Sequence, residues 1–349
     1  MSASAPQVWL DRQALRNNVA RATELIGPDS RLMFAVKSDA YGHGMDLVTP
    51  EVVAAGAHEL AVLDIPTAIA TRRNAPDTPV LAWLVGAGDD YSAALNHRID
   101  LGVSTGWQLD RLAELDSTDP VTVHLKVDTG LHRNGATAAQ WPELTDRARQ
   151  LELTGQIRVR AIWSHLADTS VETSRQALER LHRAVGVARA AGLTPDTLHI
   201  AASHAAIELP EARLDMVRLG ILGYGVSPFS DQPASTWGFQ PVLTLDAPVT
   251  GIDGHSVSLG VGYCHGLLPP VREATITVDG QRCRVETVGP AETRLHCSEP
   301  PQLQIGDVVP VLGGAPEAVS IEQWASWCDT IGDEVLVRLR PELTRAFRD

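Results

Sequence analysis

Lysine is almost missing from this chain. Of 29 basic side chains in 349 residues, two are lysine, Lys37 and Lys126, which leaves 27 arginines. Tyrosine is scarce as well, with Tyr41, Tyr91, Tyr224 and Tyr263 the whole supply. The four cysteines, Cys264, Cys283, Cys297 and Cys328, fall in the last quarter at irregular spacings that match no zinc pattern, so no metal site is expected. In an intracellular protein they are expected to be reduced thiols. No stretch approaches 18 uninterrupted apolar residues, which argues against a transmembrane helix. The first residues, MSASAPQVWLDRQAL, lack a basic segment followed by a long apolar one, so no signal peptide is expected. Positive charge is in deficit, with a net charge of −14. That disfavours nucleic acid and anionic membranes as partners and points to a soluble, cytoplasmic, acidic protein.

A chain that uses arginine wherever a surface cation suffices gives its surviving lysines significance. Lysine alone of the two can lose its proton near neutral pH and form a Schiff base with an aldehyde. Lys37 closes the apolar run that begins near Leu32, in AVKSDAYGHG, which puts an amine at the carboxyl end of a strand. Chance survival in an arginine-biased genome is the plain alternative.

The length exceeds one ordinary core and suits two domains, or a large α/β barrel with an addition. Up to about residue 235, short apolar runs alternate with helical stretches. Strands are expected at 32–37, 59–63, 79–85, 99–104, 121–127, 158–164, 197–202 and 215–219. Helices are expected at 11–26, 46–56, 65–74, 106–116, 137–152 and 172–191. Eight strands separated mostly by helices predict a (β/α)8 TIM-like barrel. An open doubly wound sheet is the alternative, but no strand–GxGxxG–helix unit supports it. From 236 onward the pieces are β-rich and broken by Gly, Pro and Asp-Gly turns, with Asp279-Gly280 a hairpin signal and one helix at 320–328. The expected division is a barrel over 1–235 and a smaller, mostly β domain over 236–349.

Barrel chemistry sits at the carboxyl ends of the strands. Those ends carry Lys37, the run from Lys126 to Arg133, His165, Ser203 and Arg218. Lysine, arginine, histidine and serine converging on one rim suit an anionic, carbonyl-bearing cofactor. The turn Arg218-Leu219-Gly220-Ile221 can offer backbone N–H groups to a phosphate. Each residue has a blander role open to it: His165 as a core histidine, Ser203 as a helix cap, Arg218 as an ion-pair partner of Asp215, Lys126 as a buried cation.

AVKSDAYGHG resembles the pyridoxal phosphate (PLP) signature of alanine racemases. The similarity continues in order through VHLKVDTGLHRNG, WSHLADTS, HIAASHAAIELP and DMVRLGILGYG, and is strong to about residue 226. It implies a PLP-bearing barrel followed by a β domain, in head-to-tail homodimers acting on a small amino acid. By the resemblance, Lys37 holds PLP as an internal aldimine and moves a proton on one face. Tyr41, Ser203, Gly220 and Ile221 bind the phosphate. Arg218 faces the pyridine nitrogen with His165 behind it, and Arg133 lies near the PLP phenolate and the substrate carboxylate. Lys126 matches a lysine that relatives can carbamylate to brace that arginine.

The departures cluster in the β domain and mark a divergent member. The family's second catalytic residue is a tyrosine in a VSYG-type segment, but between Val249 and Val261 there is no room for that segment. VGYCHG (261–266) matches the later VGYADG-type strand, VGPAETRL (288–295) loses a Met-Asp pair that faces substrate, and IGDE (331–334) loses the tyrosine of INYE. Tyr263 is therefore the leading replacement base, with His265 and Cys264 as rivals, and a purely structural turn is the plain reading of VGYCHG. A positioned base contributes about 10²–10⁴-fold in rate. Three functions stay open on the residues: a racemase with a rebuilt or weak second base, another PLP reaction such as epimerisation of a modified amino acid or decarboxylation, and a PLP-binding protein without turnover.

Overall fold

The computed structural model describes residues 5–115 and 119–348. The strands, in chain order, are β1 (Gln7–Asp11), β2 (Arg31–Ala35), β3 (Glu59–Val62), β4 (Val80–Ala82), β5 (Asp100–Val103), β6 (Val121–Lys126), β7 (Ile157–Trp163), β8 (Thr197–His199) and β9 (Met216–Leu219), followed by β10 (Leu243–Asp253), β11 (Ser256–Leu259), β12 (Thr275–Val278), β13 (Gln281–Val288), β14 (Thr293–His296), β15 (Val308–Gly313) and β16 (Thr344–Arg348). They form two sheets, and contacts group the described residues into two compact units. One contains Val19–Lys37 and Val52–Gly220; the other contains the chain up to Asn18, Ser38–Glu51, and the chain from Ile221 onward.

The first unit is the expected barrel. Its strands run in parallel in the order β8-β7-β6-β5-β4-β3-β2-β9, and Arg218 N–H donates to Ala201 O at 3.1 Å, linking β9 to the segment after β8. All eight expected strands are present, each within a few residues of its expected bounds. Short apolar runs were a good guide because parallel barrel strands bury both faces. The helix expected at 65–74 spans Ile65–Asn74; Asp64 caps it by accepting from Thr67 N–H, and a proline sits in its first turn. The expected helix at 106–116 runs over Gly106–Ala113, and residue 116 lies outside the described residues. Two short helices were not anticipated, Tyr91–Asn96 and Gly332–Arg338.

The barrel interior is layered. Met33, Ala61, Leu81 and Met216 make an apolar cluster, each at most 1% exposed, with Trp83 packed on it. Below it, toward the amino ends of the strands, lies a charged layer. Glu59 pairs with Arg31 and Arg160, and Arg160 reaches Asp100 at 2.8 Å. Above it, toward the carboxyl ends, are Lys126 and Arg218. A barrel filled by charge at both ends and apolar atoms between is a packed core whose polar groups must find partners.

The second unit holds the other sheet, β12-β13-β14-β11-β10-β1-β16, with β15 also on β10. Its N-terminal member β1 pairs antiparallel with β10 and parallel with β16. The Asp279-Gly280 hairpin is present between β12 and β13, with both residues at positive φ, 51° and 70°. Both values suit a two-residue turn of the primed type. One expectation is corrected here. Cys283 and Cys297 are joined in a disulfide, while Cys264 and Cys328 are free. The pairing of Arg284 with His296 on adjacent strands brings the two flanking cysteines to a Cα separation of 4.3 Å, within bonding range, which linear spacing cannot reveal. No helix among the described residues is long and apolar enough to cross a membrane.

Candidate active site

Lys37 follows β2 directly and begins a five-residue element, Lys37–Tyr41, of unusual hand. Ser38, Asp39, Ala40 and Tyr41 all have φ between 52° and 54°. Four consecutive non-glycine residues in the left-handed region cost roughly 1–2 kcal/mol each. Such strain persists only where the surroundings hold it, and it tends to mark functional positions. The restraints are visible. Asp39 accepts Met45 N–H at 2.7 Å, and His43 Nδ1 lies 3.0 Å from the carbonyls of both Ala40 and Tyr41. Carbonyls only accept, so Nδ1 carries the hydrogen. Burial, its largest cause, pushes His43 down to about 4, so the ring is neutral and its single N–H serves the turn. The Tyr41 ring lies 5.2 Å from that of Tyr224, tilted 48° to it, and its phenol is pushed up by burial and by Asp333.

Gly42 closes the turn at φ 77°, where a Cβ would lie 2.3 Å from the carbonyl oxygen of Leu336. Gly42→Ala is therefore expected to destabilise the protein by about 1–3 kcal/mol through backbone strain and the clash. Thermal unfolding checks this; an unchanged melting temperature would contradict the geometry.

Within the barrel unit, four expected cations converge on one imidazole. His165 is pushed down to about 2, first by burial and then by Arg218, Arg133, Lys126 and Lys37. It is neutral at any working pH, and its Nδ1 accepts from Arg218 Nη2 at 3.0 Å. Arg218 is 4% exposed. Its Nη2 also reaches the carbonyls of Ser164 at 3.0 Å and Ile200 at 2.9 Å, and its Nη1 donates to His199 Nδ1 at 2.8 Å. Burial lowers its pKa to about 9, which leaves it charged. The alternative of an ion pair with Asp215 does not arise; that carboxylate accepts Leu198 N–H.

Lys126 ends β6, 5% exposed, with Nζ 4.3 Å from the centre of the Trp163 ring. Arg218 lies over the same ring at 5.1 Å. Burial, then Arg218 and Arg133, lower Lys126 to about 7 against the pull of Asp128. The loop that carries Arg133 is pinned at its base. Asp128 accepts Gly130 N–H and His132 N–H at 2.9 and 3.1 Å. Gly135, at φ 121°, brings its backbone so close that a Cβ would sit 2.6 Å from Asp128 N. Arg133 itself is exposed.

Ser203 is not a helix cap. The helix Ser203–Glu208 begins at it, and its Oγ accepts Gly220 N–H at 3.1 Å, leaving the hydroxyl hydrogen to donate. Ile221 opens the short turn Ile221–Tyr224 in the second unit.

In the second unit Tyr263, Cys264 and His265 form a single 3-10 turn, with Tyr263 49% exposed. Its backbone is fastened to the 288–295 segment: Tyr263 N–H donates to Gly289 O and Cys264 N–H to Pro290 O. A Cβ on Gly262 would lie 2.3 Å from Gly289 O. His265 Nδ1 accepts Gly262 N–H at 3.1 Å, a structural use of that ring. The residue that stands for the lost INYE tyrosine is Asp333, whose charge helps push up the Tyr41 phenol. At the preceding Gly332 a Cβ would meet Val226 Cγ1 at 2.6 Å. Sequence reasoning missed His199, Trp163 and Asp168, the last a carboxylate whose charge acts on Arg218, although each lies within a motif read as significant.

An eight-stranded parallel barrel with a strained lysine turn at its rim, a buried arginine holding unspent N–H donors and a serine hydroxyl ready to donate is the build of an enzyme for an anionic, carbonyl-bearing cofactor. Family models for the alanine racemase N-terminal domain and C-terminal domain match residues 10–228 and 251–347. The alanine racemase of Mycolicibacterium smegmatis is 34% identical, covering 99% of this chain and 95% of its own length. That of Salinispora tropica is 33% identical over 95% of each chain. Among solved structures, the alanine racemase from D-cycloserine producing Streptomyces lavendulae matches with a TM-score of 0.94 at 28% identity, covering 100% of this chain and 98% of that one. The chain belongs to the alanine racemase family and is a PLP-dependent, alanine-racemase-like enzyme.

Proposed function

We propose that this enzyme interconverts the L and D forms of a small amino acid, with Lys37 working one face of the α-carbon and a weak or rebuilt base from the β domain, Tyr263, working the other. The observation that supports the assignment of the barrel residues is the convergence of Lys37, Lys126, Arg133 and Arg218 on the neutral His165. PLP, when bound, supplies the carbonyl that joins to amines and the conjugated ring that takes up α-carbanion charge.

Each residue then has a defined task. Lys37 anchors the cofactor and, when released, takes or returns the α-proton. Tyr41, Ser203, Gly220 and Ile221 hold the phosphate. Arg218 keeps its proton and gives the ring nitrogen a hydrogen bond, which limits electron withdrawal and favours proton transfer over elimination. Arg133 takes the substrate carboxylate. The donor set fits this group: beyond the contacts given above, Arg218 makes no other hydrogen bond among the described residues. The head-to-tail homodimer, the cytoplasmic location and the division at residue 235 belong to the same proposal.

Lys126 yields a pH-dependent expectation. Its amine is protonated below about pH 7 in the folded protein and below about pH 10 in an unfolded chain. The unfolded state therefore binds the extra proton between those values. Lys126 costs stability at neutral and lower pH, and the cost fades as pH rises. Above pH 7 the neutral amine is free to take up CO₂ as a carbamate. With ¹³C-bicarbonate, a carbamate carbon signal is expected near pH 8, lost near pH 6, and absent from Lys126→Arg. A signal that survives Lys126→Arg, or none at either pH, would leave Lys126 as a buried cation.

The direct test of the reading is borohydride reduction of the PLP-loaded protein followed by peptide mapping. The label is expected on Lys37. A label on another residue, or folded protein that takes up no PLP, would overturn the reading.

A further inference from the structure

Arg218 is buried, yet none of its hydrogen bonds goes to a carboxylate. Asp168 acts on it by charge without a hydrogen bond, and a guanidinium taken out of water without a hydrogen-bonded anion is expensive unless its surroundings are polarised toward it. The barrel core supplies such a path. Arg218 Nη1 lies 2.8 Å from His199 Nδ1, His199 Nε2 lies 3.0 Å from His124 Nδ1, and His124 Nε2 lies 3.4 Å from Asp100 Oδ2. His124 and His199 are completely buried. The chain crosses the barrel from the carboxyl-end rim to the charged layer at the amino end.

The direction of every hydrogen in this chain is forced. Arginine only donates, so His199 Nδ1 accepts and the hydrogen of His199 sits on Nε2. His199 Nε2 donates to His124 Nδ1, so the hydrogen of His124 also sits on Nε2. That N–H is buried and makes no hydrogen bond among the described residues; the one anion before it is Asp100, 3.4 Å away, an electrostatic contact. Asp100 is fixed in turn by Arg160, which also holds Glu59. Trp163 stacks on His199 at 5.3 Å with planes 14° apart, which restrains the ring from turning. The far end borders a cavity of about 260 Å³, also lined by Arg72, Arg98 and Arg158, so water can reach the carboxylate end while the imidazoles stay dry.

We propose that His199 and His124 form a one-directional hydrogen-bond chain through the barrel core, its last N–H facing the Asp100 carboxylate, that fixes the orientation of Arg218, making His124 and Asp100 positioning residues for the arginine assigned to the cofactor. Its consequence for catalysis rests on the assignment of Arg218 above; the chain itself does not. Linked hydrogen bonds polarise one another, so the carboxylate acts on Arg218 across two imidazoles. Losing His124 leaves the His199 N–H buried without an acceptor and releases the ring to the other tautomer, which would set an N–H against the arginine.

Long-range ¹H–¹⁵N correlation spectra of the cofactor-free protein, assigned with single His variants, report both tautomers without recourse to activity. Hydrogen is expected on Nε2 of both His199 and His124, with each Nδ1 accepting. Hydrogen on Nδ1 of either ring, or a doubly protonated ring at neutral pH, overturns the proposal whatever the cofactor does. In the PLP-loaded enzyme, His124→Phe and Asp100→Asn are expected to lower α-proton exchange about 10-fold and shift the visible band of bound PLP. His124→Gln, which can accept with one atom and donate with the other, is expected to restore most of both. Wild-type rates and spectra in His124→Phe, or no recovery in His124→Gln where His124→Phe is impaired, would overturn the role. Should His124→Phe fail to fold, the wild-type tautomers and His124→Gln still decide. If borohydride fails to label Lys37 while the tautomers stand as expected, the cofactor assignment fails and the chain survives.

Discussion

Lys37→Ala is expected to abolish covalent PLP attachment and to reduce racemisation below detection. The amine does two jobs in the proposed reaction, anchoring the cofactor and moving a proton on one face. Losing a positioned acid or base alone costs about 10²–10⁴-fold, and loss of the anchor adds to it. The variant should still fold. Lys37 follows the barrel strand β2, and the left-handed turn after it is held by Asp39 and His43. Circular dichroism confirms the fold, and reduction with borohydride should leave no label. Full activity in Lys37→Ala would remove the central residue of the account.

The second large effect concerns the other face. Tyr263→Phe is expected to remove what inversion the enzyme has, a loss of about 10²–10⁴-fold, while α-proton exchange at the Lys37 face stays largely intact. Tyr263 is half-exposed, which a residue serving a partner's site would be in a single chain. Its backbone is anchored to Gly289, so the substitution should remove a hydroxyl and leave the turn in place. Exchange and inversion are measured together by deuterium incorporation and chiral chromatography. Equal loss of both would point to structural damage. Retention of both would move attention to Cys264, since His265 Nδ1 is already committed to Gly262 N–H.

Much of this molecule was legible before any coordinates. The barrel strands announced themselves because each buries both faces and so reads as an apolar run ended by a turn. Lys37, Lys126, His165, Ser203 and Arg218 followed from one rule, that barrel chemistry gathers at the carboxyl ends of strands. What stayed hidden depends on contacts distant in sequence. β1 reads as an ordinary leader into the first helix, yet it pairs with β10 and β16, more than 200 residues away in sequence. The Cys283–Cys297 bond follows from strand register, and a compositional argument about cellular redox state pointed the other way. The left-handed turn at Ser38–Tyr41 has no compositional signature, since none of its residues is glycine. His124 and Asp100 looked like ordinary strand residues. Their significance appears only when β5, β6 and β8 bring them into line with His199 and Arg218.

The divergent β domain also acquires a physical description. The segment that stands for VGRVSMDQ is the one fastened to the Tyr263 turn, and Asp333 puts a carboxylate that acts on the Tyr41 phenol where the family has a tyrosine. Two separate segments have changed, so restoring a single tyrosine at residue 333 is not expected to restore the family's geometry.

In the proposed reaction one face of the substrate is fully served and the other weakly. The measurement that tests it most directly is incubation of the wild-type, PLP-loaded enzyme with L-alanine and with D-alanine separately in D₂O, following α-deuterium incorporation and inversion in the same samples. The account predicts that exchange of one enantiomer, with retention of configuration, outruns inversion in either direction. Inversion of both enantiomers as fast as exchange would contradict it, because two fully effective bases would then be in place.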